Sequence, residues 1–326
     1  MKKKLVTLLI IFSIIIAGSV LTCNIAGNDK DINNSSITNI VTSFYPMYII
    51  TLNITDGAKD VSVTNLTPNQ TGCLHDYQFT TSDMRTLEDA NVFIINGGGM
   101  ETFIMDVANQ YPQLDIIDTS CGTSMLHSDG EGHAHTDENH IHESDEDEHN
   151  HDHDEEYNSH MWLNTHNYMI QIQNACDELC KLDEKNSDIY RSNTKKYLKK
   201  IDKIDKELND IKVSKHDGVI IFHEAFAYLA DEIGLNVMSS IEIDGENSSL
   251  SSGEIASIID EIKDDGIKYI FTEKQFKASI ADRIAAETDA QVYVFDSLVT
   301  GDNNKDAYIN GMENNIKILK KLFEKQ

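Results

Sequence analysis

Four residues stand where a chain could gather a metal ion. His75 lies in Gly72-Cys-Leu-His-Asp-Tyr, after a short apolar run, and His160 lies in Asn158-Ser-His-Met-Trp-Leu. His223 closes the run Val219-Ile-Ile-Phe, and Asp296 closes Val292-Tyr-Val-Phe. In an open parallel sheet, ligands bind beyond the carboxyl ends of the strands, and His75, His223 and Asp296 stand at such edges. Three neutral imidazoles and one carboxylate make a competent tetrahedral shell for zinc. Taken singly, each residue has an ordinary reading: a lone His at a strand end faces water or caps, and an Asp after a strand commonly caps a helix.

A second set of histidines has a different character. His127, His133, His135, His140, His142, His149, His151 and His153 are interspersed with Asp and Glu over 126–156, where almost nothing is apolar. Such a stretch cannot offset its ordering entropy by burial, so a mobile loop is expected. Many imidazoles and carboxylates on a loop offer weak, interchangeable zinc sites. The plain alternative is a solvated low-complexity segment.

Other chemistries find less support. His223-Glu224 starts like HExxH, but position 227 is alanine and supplies no second histidine, so a zinc hydrolase is a rival rather than the leading reading. No CxxC spacing occurs among the five cysteines, which removes the usual signature of a thiolate zinc or redox site. Cys176 and Cys180, four apart on a predicted helix, share a face as buried thiols. The pairing of Cys73, Cys121, Cys176 and Cys180 is left open by sequence.

The elements that must position these residues alternate. Strands are expected at Ile37–Ser43, Val61–Leu66, Val92–Asn96 and Leu114–Asp118, with helices at Pro46–Thr55, Ser82–Ala90 and Met100–Asn109. Helices at Asn164–Leu182 and Ser187–Val213 follow. Strands then return at Val219–Phe222, Asn236–Ile241, Lys268–Thr272 and Gln291–Phe295, with helices at Glu224–Ile233, Gly253–Asp264, Ala278–Glu287 and Asp306–Phe323. This alternation predicts an α/β fold of two lobes, each a mainly parallel sheet flanked by helices. One long rigid helix joins them, with the metal site in the cleft between.

The N-terminus reads as a targeting segment. Lys2, Lys3 and Lys4 precede a short apolar run from Leu5 to Ala17, too short to span a bilayer. Val20-Leu-Thr-Cys resembles a lipobox, which predicts lipid on Cys23. The expected organisation is a signal peptide over 1–22, anchor and tether over 23–36, and a first lobe over 37–185 containing the histidine loop. A linker helix over 186–213 and a second lobe over 214–326 complete it. The net charge of −28 argues against nucleic acid as a partner and suits a protein outside the cytoplasm that attracts cations.

An ordered set of motifs extends this reading. Ser43-Phe-Tyr-Pro-Met-Tyr, Gly72 to Tyr77, Ser82-Asp, Leu87-Glu-Asp-Ala and Asn96-Gly-Gly-Gly-Met-Glu come first. His160-Met-Trp-Leu, Phe222-His-Glu-Ala-Phe, Thr272-Glu-Lys-Gln-Phe and Phe295-Asp-Ser-Leu follow. Together they resemble the metal-specific solute-binding lipoproteins of ABC transporters, in the zinc and manganese branch. The resemblance implies that His75, His160 and His223 are metal ligands and that Asp296, or water, completes the shell. It implies Zn2+ as the carried ligand, an ABC permease with its ATPase subunits as partners, attachment to the outer face of the membrane, and no catalytic activity. A monomer is expected. The acidic histidine insert before the second ligand favours zinc over the manganese or iron alternative; a surface adhesin is a further rival. Leu74 before His75 and Ser159 before His160 depart from the proline frequent at both places.

Overall fold

The computed structural model describes residues 39–67, 74, 77–128, 157–214, 217–241, 250–274 and 279–323. The predicted signal peptide, the tether with Cys23, and His75 lie outside the described residues. So do the loop histidines His133, His135, His140, His142, His149, His151 and His153.

Four short strands, β1 (Asn39–Thr42), β2 (Ser62–Asn65), β3 (Val92–Ile95) and β4 (Asp115–Asp118), form the first sheet in the order β2-β1-β3-β4, all parallel. Helices α1 (Tyr45–Ile54), α2 (Thr81–Glu88) and α3 (Thr102–Ala108) make the crossovers. Pro46 sits in the first turn of α1, where its missing N–H costs nothing. Thr80 and Asp83 close a reciprocal capping box on α2, which fixes where that helix begins.

Two two-residue strands, β5 (Leu126–His127) and β6 (Tyr157–Asn158), pair antiparallel. This corrects the expected loop boundary: residues 126 and 127 belong to a ladder. Its hydrogen bonds and the stack of His127 on Tyr157, ring centroids 5.0 Å apart, hold the two ends of the histidine segment side by side.

Helix α4 (Thr165–Leu182) and helix α5 (Ser187–Asn209) follow. Helix α5 turns Tyr190, Thr194, Tyr197, Ile201, Ile204 and Leu208 inward at three- and four-residue spacing, so one stripe is buried and the rest is charged. It ends at Asn209, earlier than the expected Val213. The Asp210 N–H reaches the carbonyls of both Lys206 and Leu208, which tightens and closes the last turn.

The second sheet contains β7 (Gly218–Phe222), β8 (Asn236–Ile241), β9 (Tyr269–Glu273) and β10 (Gln291–Phe295). Its order, β8-β7-β9-β10, is again all parallel and repeats the plan of the first. Helices α6 (Ala225–Ile233), α7 (Ser252–Asp265), α8 (Ser279–Ala286) and α9 (Ala307–Phe323) complete it. Two details set their limits: Ser251 and Glu254 cap α7, and Gly234, at φ 71°, ends α6 in the left-handed region that glycine adopts without strain.

Strand alternation sorts the core. Ile40 and Ile94 of the first sheet, and Ile221 and Phe271 of the second, face one continuous cluster that also takes in Trp162, Tyr168, Tyr197 and Met312. Their neighbours face away: Val41, Phe93 and Ile95 into a local cluster with Leu87 and Ile104, and Ile220, Phe222 and Ile270 into another with Ile258 and Ile284. The two sheets therefore share a core. Polar bonds stitch the same seam. Trp162 Nε1 donates to the Ser297 carbonyl (2.8 Å), and the Tyr308 hydroxyl donates to the Trp162 carbonyl (2.8 Å). Tyr45 donates to the Asp302 carbonyl (2.6 Å), and Asn53 Nδ2 donates to the Lys305 carbonyl (2.8 Å).

Candidate metal centre

In each sheet the chain reverses its direction of travel between the first strand and its far neighbour: β1 and β3 in one, β7 and β9 in the other. Ligand sites form beyond the carboxyl ends of strands at such a switch point. His223 stands at the end of β7 and Glu273 at the end of β9.

His223 leaves its strand at φ 87°. For a residue with a β-carbon this left-handed region is costly and calls for support from its surroundings. Two bonds supply it. The His223 N–H donates to the Ile241 carbonyl (3.0 Å), and Nδ1 lies 2.6 Å from Glu273 Oε1. Glu273 is 1 % exposed, and its other oxygen accepts from Ser297 Oγ (3.2 Å). A carboxylate can only accept, so His223 carries its proton on Nδ1 and its lone pair on Nε2. That is the arrangement in which a carboxylate orients a metal-binding imidazole and raises its basicity.

His160 follows β6 and is fully buried. Its N–H and its Nδ1 both bond to Asn158 Oδ1, each at 3.0 Å, and Glu224 Oε1 lies 3.4 Å from Nδ1. Asn158 is itself anchored to α6: its Nδ2 donates to the Glu224 carbonyl (2.9 Å), and the Tyr228 hydroxyl donates to its carbonyl (2.6 Å). The ring of His160 is thus set by a residue two positions earlier that the second lobe holds. Trp162 packs beside it at 5.1 Å. On the first-lobe side, Asn96 Nδ2 donates to the Ser159 carbonyl (2.9 Å). The buried carboxyl of Glu101 grips that corner through Ser43 Oγ, Asn96 N–H and Gly97 N–H at 2.7–3.0 Å. Burial pushes Glu101 up to about 7, against these three hydrogen bonds, which pull it down.

The two imidazoles meet edge to face, centroids 4.5 Å apart and planes at 84°. One comes from the segment that joins β6 to α4, the other from the second sheet. Among the described residues no three His, Cys, Asp or Glu side chains gather as a metal-holding group: of the expected set, His160, His223 and Asp296 are described, and the first two meet as this pair without Asp296 completing such a group. His75 lies outside the described residues, but the chain beside it is fixed. Leu74 is buried, the Tyr77 N–H bonds to the Leu74 carbonyl (3.0 Å), and the Tyr77 hydroxyl bonds to Asp83 (2.9 Å).

Asp296 follows β10. Its Oδ1 accepts from the Leu298 N–H (2.9 Å), and its Oδ2 lies 3.6 Å from Lys274 Nζ. Asn315 holds its backbone on both sides, at 2.9 and 2.8 Å. Its charge is felt by Tyr45, whose phenol is pushed far up by burial first, then by Asp302 and Asp296. Of the loop histidines, His127 alone is described, exposed on β5. The residues that set the rings, Asn158, Glu224, Glu273 and Ser297, had no role assigned from sequence. The one available signal was a charge, Glu273, closing the otherwise apolar strand Tyr269-Ile-Phe-Thr-Glu.

A family model described as ZnuA, zinc-uptake complex component A, periplasmic, matches residues 40–322. The chain belongs to this family. Within it, the chain is 30 % identical over 264 residues to the high-affinity zinc uptake system protein ZnuA of Bacillus subtilis, covering 79 % of this chain and 78 % of that one. It is 26 % identical over 302 residues to the zinc-binding protein AdcA of Streptococcus pyogenes, covering 91 % of this chain but 56 % of the relative. The chain therefore spans about half the length of that ZnuA-family relative. The solved structure of the solute-binding protein FpvC from Pseudomonas aeruginosa, in complex with Mn2+, superposes at a TM-score of 0.73 with 20 % identity, over 89 % of this chain and 99 % of that one. The two-lobed parallel-sheet fold is the fold of these ZnuA-like proteins.

Proposed function

We propose that this chain captures Zn2+ outside the cytoplasm and delivers it to the permease of an ABC importer driven by its ATPase subunits. The observation that carries the reading is the His160–His223 pair, 4.5 Å apart, with each Nδ1 held by an acceptor so that each Nε2 keeps its lone pair. His75 joins them as the third ligand, and Asp296 or a water molecule is the fourth. Zinc is the cargo of this site. The protein's work is to present three deprotonated nitrogens in a fixed tautomer, because an imidazolium cannot coordinate. Ligands from both lobes make binding a clamp, and release to the permease requires loosening it.

The remaining parts serve the same task. The acidic histidine segment raises the local zinc concentration through weak sites, lipid on Cys23 holds the protein at the outer membrane face, and the chain acts as a monomeric carrier without turnover. Zinc is favoured over manganese because manganese prefers more oxygen ligands and lies lower in the affinity order. Equilibrium competition between the two ions at neutral pH, against a chelator of known strength, tests this. Strong preference for zinc is expected, and equal affinities or a preference for manganese would overturn the zinc assignment.

A further inference from the structure

The face formed by α4 and α5, outside the metal centre, carries a cavity of about 690 Å3, within the range of small-ligand pockets. Its apolar lining comes from Met169 and Ile170 of α4 and Leu198 of α5. Three features distinguish it from an ordinary crease between helices. First, Arg191, Lys195 and Lys199 line it at four-residue spacing, so they share one face of α5. Second, none of the three is ion-paired among the described residues, although acids outnumber bases 55 to 27 in the chain. Their helix neighbours Lys200, Lys203 and Lys206 all hold carboxylates. Third, Thr194 lines the same cavity, is 3 % exposed, and its Oγ1 has no hydrogen-bond partner. A buried hydroxyl without a partner is unfavourable and marks a place where an incoming acceptor would be welcome.

We propose that this groove binds a single anionic amphiphile, a molecule with one apolar chain and a carboxylate or phosphate head. The chain lies on Met169, Ile170 and Leu198, and the head meets the Arg191–Lys195–Lys199 stripe. Thr194 donates its hydroxyl to a head-group oxygen. The one carboxylate in the lining, Asp202, is already held by Lys206; Arg191 also borders an adjoining cavity with Asp118, Asp177 and Glu178, so Lys195 and Lys199 are the cations the groove leaves unneutralised. A neutral or cationic amphiphile would gain the apolar contact and forgo the rest. The site is independent of zinc, since no lining residue belongs to the metal centre.

The test uses the full chain carrying Cys23→Ala, so that no covalent lipid competes, loaded with zinc and titrated calorimetrically with monomeric dodecanoate at low salt. One saturable site is expected, weakening with added salt, with dodecyltrimethylammonium at least about tenfold weaker. Lys195→Glu with Lys199→Glu should lower dodecanoate affinity at least about tenfold. Leu198→Trp, which fills the groove, should abolish binding, while Thr194→Val removes only the hydroxyl and should cost a few-fold. Zinc affinity should stay unchanged in every variant, which confirms that each one folds. Failure to saturate, equal binding of the cationic probe, or indifference to charge reversal would overturn the proposal. So would binding to phosphatidylglycerol vesicles through these lysines without binding of the monomer.

Discussion

His160 and His223 are each tied down at one nitrogen and aimed with the other. On this basis His160→Ala or His223→Ala should lower zinc affinity by orders of magnitude while the fold survives, since in the proposed shell each removes one of four bonds to the ion; competition titration with a chelator reads this directly. The same loss is expected for His75→Ala, and an unchanged affinity would remove that residue from the shell. Glu273 supports a finer prediction. Glu273→Gln keeps an acceptor near His223 Nδ1 but deletes the charge, so affinity should fall about 10- to 100-fold, the usual range for an outer-shell partner. His223→Glu shifts the shell toward oxygen and should narrow the gap between zinc and manganese. Binding by the native protein should also weaken toward acid pH, since a protonated imidazole cannot coordinate the ion.

At the scale of elements, the β5–β6 ladder separates the histidine segment from the scaffold. Deleting residues 129–156 and joining the ladder by a short turn should leave one tight zinc site and abolish further weak binding, as counted by calorimetry. Loss of the tight site would mean that the segment itself supplies ligands.

A second element-scale prediction concerns the junction of α4, α5 and α6. The Thr165 N–H donates to Glu232 Oε2 (3.0 Å), and the Thr165 hydroxyl touches both Glu232 Oε1 and Asp205 Oδ1. Burial pushes Glu232 from 4.5 up to about 7; the Thr165 bonds pull it down, while the acidic neighbours Asp205 and Asp231 push it further up. The folded state therefore binds more protons than the unfolded chain between about pH 4.5 and 7, and stability falls as pH rises through that window. Glu232→Gln should flatten this slope, and the melting temperature should decline a few degrees less between pH 5 and pH 8 than in the native protein. Glu101 titrates in the same range, so part of the decline should remain.

For the whole molecule, the shared core and the Trp162–Ser297, Tyr308–Trp162 and Tyr45–Asp302 bonds make the lobes one packed body. Zinc binding should then act by local ordering more than by hinge closure. Trp162→Ala removes a fully buried ring from that seam and should cost about 3–5 kcal/mol of stability. It should also weaken zinc binding, because Trp162 packs on His160; denaturant unfolding and chelator competition measure the two effects separately. Anchoring is tested apart from folding: Cys23→Ala should release the chain to the soluble fraction.

The layout of strands and helices was legible in the sequence because apolar runs, caps and breakers act over a few residues. Val92–Ile95 is uniformly buried and reads as a strand from its four apolar residues alone. The stripe of α5 reads as a helix from its spacing. That His160 and His223 would stand together was legible for a related reason, since strand ends and motif order are properties of the linear chain; Asp296 stays a proposed ligand.

Contacts across long separations were decided only in three dimensions. Glu273 lies 50 residues from His223, and Asn158 lies 66 from the Glu224 carbonyl it holds; no local pattern encodes such partners. The two-residue strands β5 and β6 are too short to show a period, so pairing alone defines them. The left-handed His223 is tolerated because Ile241 and Glu273 hold it. The sequence by itself determined which elements form and which side chains are candidate metal ligands, since both follow from local propensity and residue chemistry. The tertiary structure decided which carboxylate holds which ring and how the two imidazoles meet, since these depend on how distant segments pack.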